Sequence, residues 1–167
     1  MRTVLLAALL FAGAASAQGT AAPTSANTVV DFVHPEKFVD AGDQGFGGAP
    51  SKRVLAELGK AIVALGAKYL GPGEALKIDV SDVDLAGRFE PGPQAGDTVR
   101  VMRDSDWPRI ALHYVLKKDG VIASEGDAQI SDMNYLDQQR SGRSSEHLYY
   151  EKRMLQDWFS KTFKPQS

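Results

Sequence analysis

The sequence predicts an α+β fold, an antiparallel-rich sheet of about four strands with two helices packed on one face, in the order β-α-β-β-β-α. Three observations carry this. Trp107–Ile130 alternates apolar and polar residues on either side of Asp119-Gly120, and residues 52–69 repeat apolar side chains at helical spacing. Residues 146–163 do the same with aromatics.

In the first hairpin arm Ile110, Leu112, Tyr114 and Leu116 share one side, and Ala111, His113 and Val115 the other. Asp119-Gly120 suits a two-residue turn whose central positions both need positive φ. In the second arm the even side, Ile122, Ser124, Gly126, Ala128 and Ile130, is the greasier one and is expected to face the core. A lone hairpin is marginal in water, so further strands and a helical cover are required.

The first helix is expected to run from Lys52 to Tyr69, capped by the Ser51 hydroxyl, with Val54, Leu55, Leu58, Ile62, Leu65 and Tyr69 inward. Gly59 and Gly66 each weaken it by about 1 kcal/mol relative to Ala, so packing has to hold it, and Gly71-Pro72-Gly73 stops it. Thr28–Val33 is a short strand with edge character, because the His34-Pro35 step follows. Leu76–Leu85 supplies the third sheet strand; its apolar side switches near Ser81-Asp82, as at a bulge or where a strand emerges into solvent. Gly87–Asp97 is a Gly/Pro-rich excursion, Thr98–Met102 a weak strand candidate, and Asn134–Ser145 polar and turn-like. The closing helix is expected over Glu146–Phe163, with Leu148, Leu155, Trp158, Phe159 and Phe163 inward.

The N-terminus predicts an address. Met1-Arg2 gives a positive start, Val4–Ala12 an unbroken apolar run, and Ala15-Ser16-Ala17 small residues where a signal peptidase reads. The expected organisation is a signal peptide over 1–17, a flexible segment over 18–27 and one domain over 28–164, with no transmembrane segment in the mature form. Cleavage after Ala17 leaves 150 of the 167 residues, enough to bury roughly 68–70% of the extended surface. The chain has no cysteine, so stability must come from packing even in an oxidising compartment. The formal charge is −2, and −3 once Arg2 leaves, which offers no global field for nucleic acid, and no nucleic-acid partner is expected.

Candidate chemistry gathers around the excursion. Asp79, Asp82 and Asp84 form one acidic cluster, Asp104 and Asp106 a second, and Arg88, Arg100, Arg103 and Arg109 lie between and beside them. The residues chosen for a ligand site are Asp82, Asp84, Arg88, Arg103, Asp106 and Arg109, since guanidinium forks match carboxylate or phosphate. The plainer alternative is that these arginines and aspartates pair with one another. Asp82 and Asp84 project from one strand face and suit a hard cation, yet no calcium-loop spacing is completed and no His or Cys cluster offers a transition-metal site, so neither metal nor cofactor is expected. His113 faces Ser124 or Asp127 across the hairpin, where a structural role is the plainer expectation than acid–base work. Glycines 42, 45, 47 and 48 fit no phosphate-loop spacing and mark a plain loop or a lid over a groove.

The segments DVDLAG (82–87), WPRI (107–110), SDM (131–133) and YEKRMLQDWF (150–159) together resemble the DUF3016 family, exported proteins of Gram-negative bacteria with no assigned activity. The likeness extends over about Val29–Phe163 and implies a periplasmic, single-domain protein, with no catalytic residues to carry over. For the last helix, Glu151 and Arg153 are expected to pair with charges of the Arg/Asp segments, and Tyr150 and Trp158 to anchor it. The functional expectation is a non-enzymatic periplasmic binding or envelope-associated accessory protein, its partner an envelope protein or an anionic small ligand. The alternative is a small periplasmic hydrolase acting on envelope material, using Asp82 or Asp84 with a nearby His or Arg.

Overall fold

The computed structural model describes residues 27–45, 49–137 and 146–163; the expected signal peptide, most of the flexible segment and part of the 134–145 turn region lie outside them. Among the described residues six strands and two α-helices follow one another as β1 (Thr28–Phe32), α1 (Lys52–Tyr69), β2 (Glu74–Asp84), β3 (Arg88–Pro91), β4 (Thr98–Val101), β5 (Arg109–Lys118), β6 (Val121–Ser131) and α2 (Tyr149–Thr162), with a 3-10 turn at Pro35–Lys37 after β1. Four strands make the main sheet in the order β1-β2-β5-β6, and β3 and β4 pair separately as a two-stranded ribbon. The α+β expectation holds, and β1 lies at an edge. Its pairing with β2 is parallel, whereas β2–β5 and β5–β6 are antiparallel.

Helix α1 has the predicted bounds because its signals are local: Ser51 Oγ accepts the Val54 N–H at 3.4 Å, and Val54, Leu58, Ile62 and Tyr69 are buried on one stripe. Gly66 is on that stripe for a steric reason. A Cβ there would stand 2.1 Å from Thr28 Oγ1, so the absent side chain lets α1 settle onto β1.

The core lies between the sheet and both helices, and includes Val30, Ile78, Leu112, Leu155 and Phe159. Phe159 is fully buried, worth about 2 kcal/mol of transfer free energy. Trp158 meets Tyr114 and Phe163 edge-on at 5.8 and 5.4 Å, and Tyr150 meets Tyr135 at 4.8 Å, so α2 is anchored by aromatic contacts at both ends.

Two bulges reshape the sheet. At Ser81 the β2 register slips between Val80 and Asp82, so Leu76, Ile78 and Val80 face the helices before it and Val83 after it. This is the predicted switch of face. The second bulge was not expected: β6 slips so that Ser124 opposes Leu116 while Ile122 opposes Lys117. Partners directly opposite share a face, so Ile122 turns to the open side and is 53% exposed rather than core. Ser124, also expected inward, is exposed, with its hydroxyl 3.3 Å from the Tyr114 hydroxyl. The turn between β5 and β6 is as expected, with φ of 50° at Asp119 and 82° at Gly120.

Two boundaries are corrected. Residues 88–91 of the supposed excursion form β3 against β4, and the last helix starts at Tyr149 because Leu148 takes a left-handed conformation (φ 57°) that ends helical geometry N-terminally. Among the described residues no helix is long and apolar enough to cross a membrane.

Candidate functional site

The Ser81 bulge is what builds the site. By turning Val83 inward it places Asp82 and Asp84 on the open face of the sheet, opposite Ala111 and Arg109. Asp84 is nevertheless only 2% exposed. Two things cover it. The segment around Asp40 bridges to β2 beside it, with Asp40 N–H donating to Val83 C=O at 2.9 Å and Leu85 N–H to Asp40 C=O at 3.1 Å. The β3–β4 ribbon then delivers Arg88 and Arg100.

Arg88 donates to Asp84 through Nη1 (2.6 Å to Oδ1) and Nη2 (3.3 Å to Oδ2), and its Nη1 lies 3.6 Å from Asp40 Oδ2. Arg109 grips the same carboxylate from β5 through Nε and Nη2, 3.0 and 2.5 Å from Oδ2, with its guanidinium 5.3 Å from the Trp107 ring centre. Arg100 forks onto Asp40 at 2.9 and 3.2 Å, and donates to the carbonyls of Gly42, Ala86 and Gly87 at 3.1–3.2 Å while lying 4.3 Å over the Phe89 ring. Three guanidiniums therefore serve two carboxylates, with Asp106 acting on Arg88 through space.

Burial alone would raise the Asp84 carboxyl, but the hydrogen bonds from Arg88 and Arg109 outweigh it and hold its pKa below the ordinary aspartate range. The hydrogen bond to Asp84 in turn raises Arg88. Glu151, in the first turn of α2, is buried behind the cluster. Its Oε1 accepts the Ala86 N–H at 2.8 Å, and burial pushes its carboxyl pKa up against that bond. Tyr135 donates its hydroxyl to the Arg103 carbonyl at 2.8 Å and is pushed up to about 12, chiefly by burial, so it remains a protonated donor.

Beside Arg88 opens a cleft of about 420 Å³, walled by Phe38, Val39, Ala49, Pro50 and Phe89, with Gly42 and Gly45 as bare backbone. Gly42 and Gly45 of the glycine loop thus line a groove, while Gly47 and Gly48 lie outside the described residues. Asp82 fixes that groove from outside, its Oδ1 accepting the N–H groups of Val39 and Val83, each at 2.9 Å.

Of the six residues chosen from sequence, Asp84, Arg88 and Arg109 meet, and Asp106 stands near. Asp82 is occupied as a backbone acceptor, and Arg103 pairs with Glu90 across the ribbon, its Nη2 donating to Oε2 at 2.9 Å. Asp79 pairs with Lys77 at 2.6 Å, so the three β2 aspartates do not converge, and among the described residues no three His, Cys, Asp or Glu side chains are placed to share a metal. Glu151 binds a backbone N–H instead of the expected side-chain charge, and Arg153 forms no ion pair among the described residues. Asp40 was missed because its role depends on a single bridge 44 positions along the chain. Arg100 is one of the four arginines around the excursion in the sequence, but only the ribbon makes it the most enclosed of the cluster.

The family model for "Protein of unknown function (DUF3016)" matches residues 26–161. The chain belongs to that family. No curated protein and no solved structure matches it. The segments that carry the DUF3016 resemblance are far apart in sequence yet meet here. DVDLAG supplies Asp84 and the Ala86 N–H, WPRI supplies Trp107 and Arg109, YEKRMLQDWF supplies Glu151, and Ser131 of SDM pairs with Arg109 in the β5–β6 ladder.

Proposed function

We propose that this DUF3016 protein is a non-enzymatic binding or envelope-associated accessory protein of the periplasm, and that its contact site is the cleft beside Arg88. The observation that carries this is the double clamp on Asp84 at the edge of an open groove: a rigid, charge-compensated scaffold holding one guanidinium against a partly apolar wall. A carboxylate held ionised by two guanidiniums is a good anchor and a poor proton acceptor. That favours binding over the alternative, a small hydrolase using Asp82 or Asp84. The periplasmic address is supported by the N-terminal pattern of Arg2, the Val4–Ala12 apolar run and Ala15-Ser16-Ala17.

The test is capture from periplasmic extract with tagged protein and its Arg88→Gln variant. Recovery of a partner or small molecule by the wild type and its loss with the variant is the expected result. Repeated recovery of nothing, together with turnover of envelope material by the purified protein, would overturn the binding role. Finding the protein in the cytoplasm with residues 1–17 retained would overturn the address.

A further inference from the structure

We propose that the cleft beside Arg88 takes a monoanionic carboxylate carried on an apolar body, either a free apolar acid or the C-terminus of a peptide ending in an apolar residue. This rests on the binding role above and names the chemistry of the ligand.

The charge count sets the head group. Asp40 is neutralised by the Arg100 fork, and Asp84 is shared by Arg88 and Arg109, so the cluster holds at most one positive charge in excess. Of the two arginines on Asp84, Arg88 is the one that lines the cleft, with a side chain 37% exposed. One residual charge suits a singly charged, planar carboxylate; with the Nη1–Nη2 fork of Arg88 taken by Asp84, the parallel donors left for it are the Nε–H and the outer Nη2 N–H. A phosphate dianion or a polyanion brings more negative charge than that single excess can offset, and Glu36 in the cleft lining adds to the repulsion.

The wall sets the body. Val39 is 64% exposed and is fixed in place: its N–H is held by Asp82 Oδ1 and the next residue is bridged to β2. Phe38, Pro50 and Phe89 line the same cleft as Arg88. A volume of about 420 Å³ falls among small-ligand sites, which join apolar walls to a few fixed polar groups.

The experiment follows backbone amide shifts and calorimetric titration of the purified protein with four probes: 3-phenylpropionate, N-acetyl-Ala-Ala-Phe, the C-terminal amide of that peptide, and inorganic phosphate. At least one of the two acids is expected to bind saturably and to shift the amides of residues 38–42 and Phe89. Phosphate is expected to leave these unmoved. Response to 3-phenylpropionate alone identifies a small free acid as the ligand source, and response to the peptide acid identifies a chain terminus, for which the amide should bind at least about tenfold more weakly. Arg88→Gln should weaken the acids by a similar factor. Because that change also loosens Asp84, Val39→Glu serves as the second variant; it alters an exposed side chain outside the ion pairs and should exclude the acids by repulsion. The inference is overturned if neither acid shifts these amides, if the peptide amide binds as tightly as its acid, if phosphate binds as well as the acids, or if Val39→Glu leaves affinity unchanged. A partner captured from extract through another surface would leave the accessory role standing while failure of both acids removed this one.

Discussion

Asp84 and Asp127 are the same residue type on the same open face of one sheet, and each is paired across strands. Asp84 is 3% exposed at its side chain and held by two arginines, whereas Asp127 is 91% exposed and meets His113 Nδ1 at 2.8 Å. The difference is cover. At the Asp84 end the Asp40 segment and the β3–β4 ribbon fold over the sheet, and at Asp127 the face is left in water. A charge pair out of water has to be complete, because removing one partner leaves the other desolvated, while a pair in water contributes little either way. The sheet therefore has one end where charge is structural and another where it is decoration.

The largest effect should come from Asp84→Asn, which leaves Arg88 and Arg109 facing each other without a carboxylate. Urea unfolding is expected to show a loss of about 3 kcal/mol, at the low end for a broken buried pair because both arginines keep some contact with water. The pH dependence sharpens the point. A carboxylate with depressed folded pKa contributes stability that is present above the unfolded value and lost as pH falls through the folded one. Wild type should thus lose stability on acidification below about pH 4, and Asp84→Asn should lose less over the same interval.

Next in size is Arg100→Lys. A single ammonium cannot reproduce a fork on Asp40 together with bonds to the carbonyls of Gly42, Ala86 and Gly87, and unmet acceptors should cost about 2 kcal/mol. Retention of full stability would show that the ribbon is held by its strand pairing and not by this arginine.

Glu151→Gln should act in the opposite direction. Its folded pKa is raised, so relative to the amide the wild-type carboxyl is at no disadvantage below the unfolded value, and loses stability as pH rises through the folded one. Unfolding midpoints at pH 4, 6 and 8 should show the variant gaining on wild type as the pH rises. A flat difference would mean that the Ala86 N–H bond satisfies the ionised form fully.

The smallest effect is expected from Asp127→Asn, below about 1 kcal/mol and shrinking further in salt. A loss comparable to that of Asp84→Asn would break the comparison, since exposure would then not be what separates the two carboxylates.

Elements written in short-range code were legible in the chain. Ser51 and Gly71-Pro72-Gly73 bracket α1, Asp119-Gly120 makes the β5–β6 turn, and alternation before and after Ser81 shows the switch of face in β2, which the strand register identifies as a bulge. The site was half legible: Asp84, Arg88 and Arg109 sit in segments visibly rich in charge. Asp82 and Arg103, however, share those segments and do different work. Spacing along a strand says which face a carboxylate takes, and not which N–H or guanidinium arrives there from elsewhere.

The amino-acid order by itself determined the α+β architecture, the hairpin, α1 and membership of the pool of charges at one sheet end, because periodicity and turn chemistry act over a few residues. Only the tertiary structure decided that Ile122 turns outward, that Asp40 closes against β2, and that Glu151 is buried behind Ala86. Each of those depends on a register slip or a contact across tens of residues, where the free energy of burial is set by whatever the folded chain brings alongside.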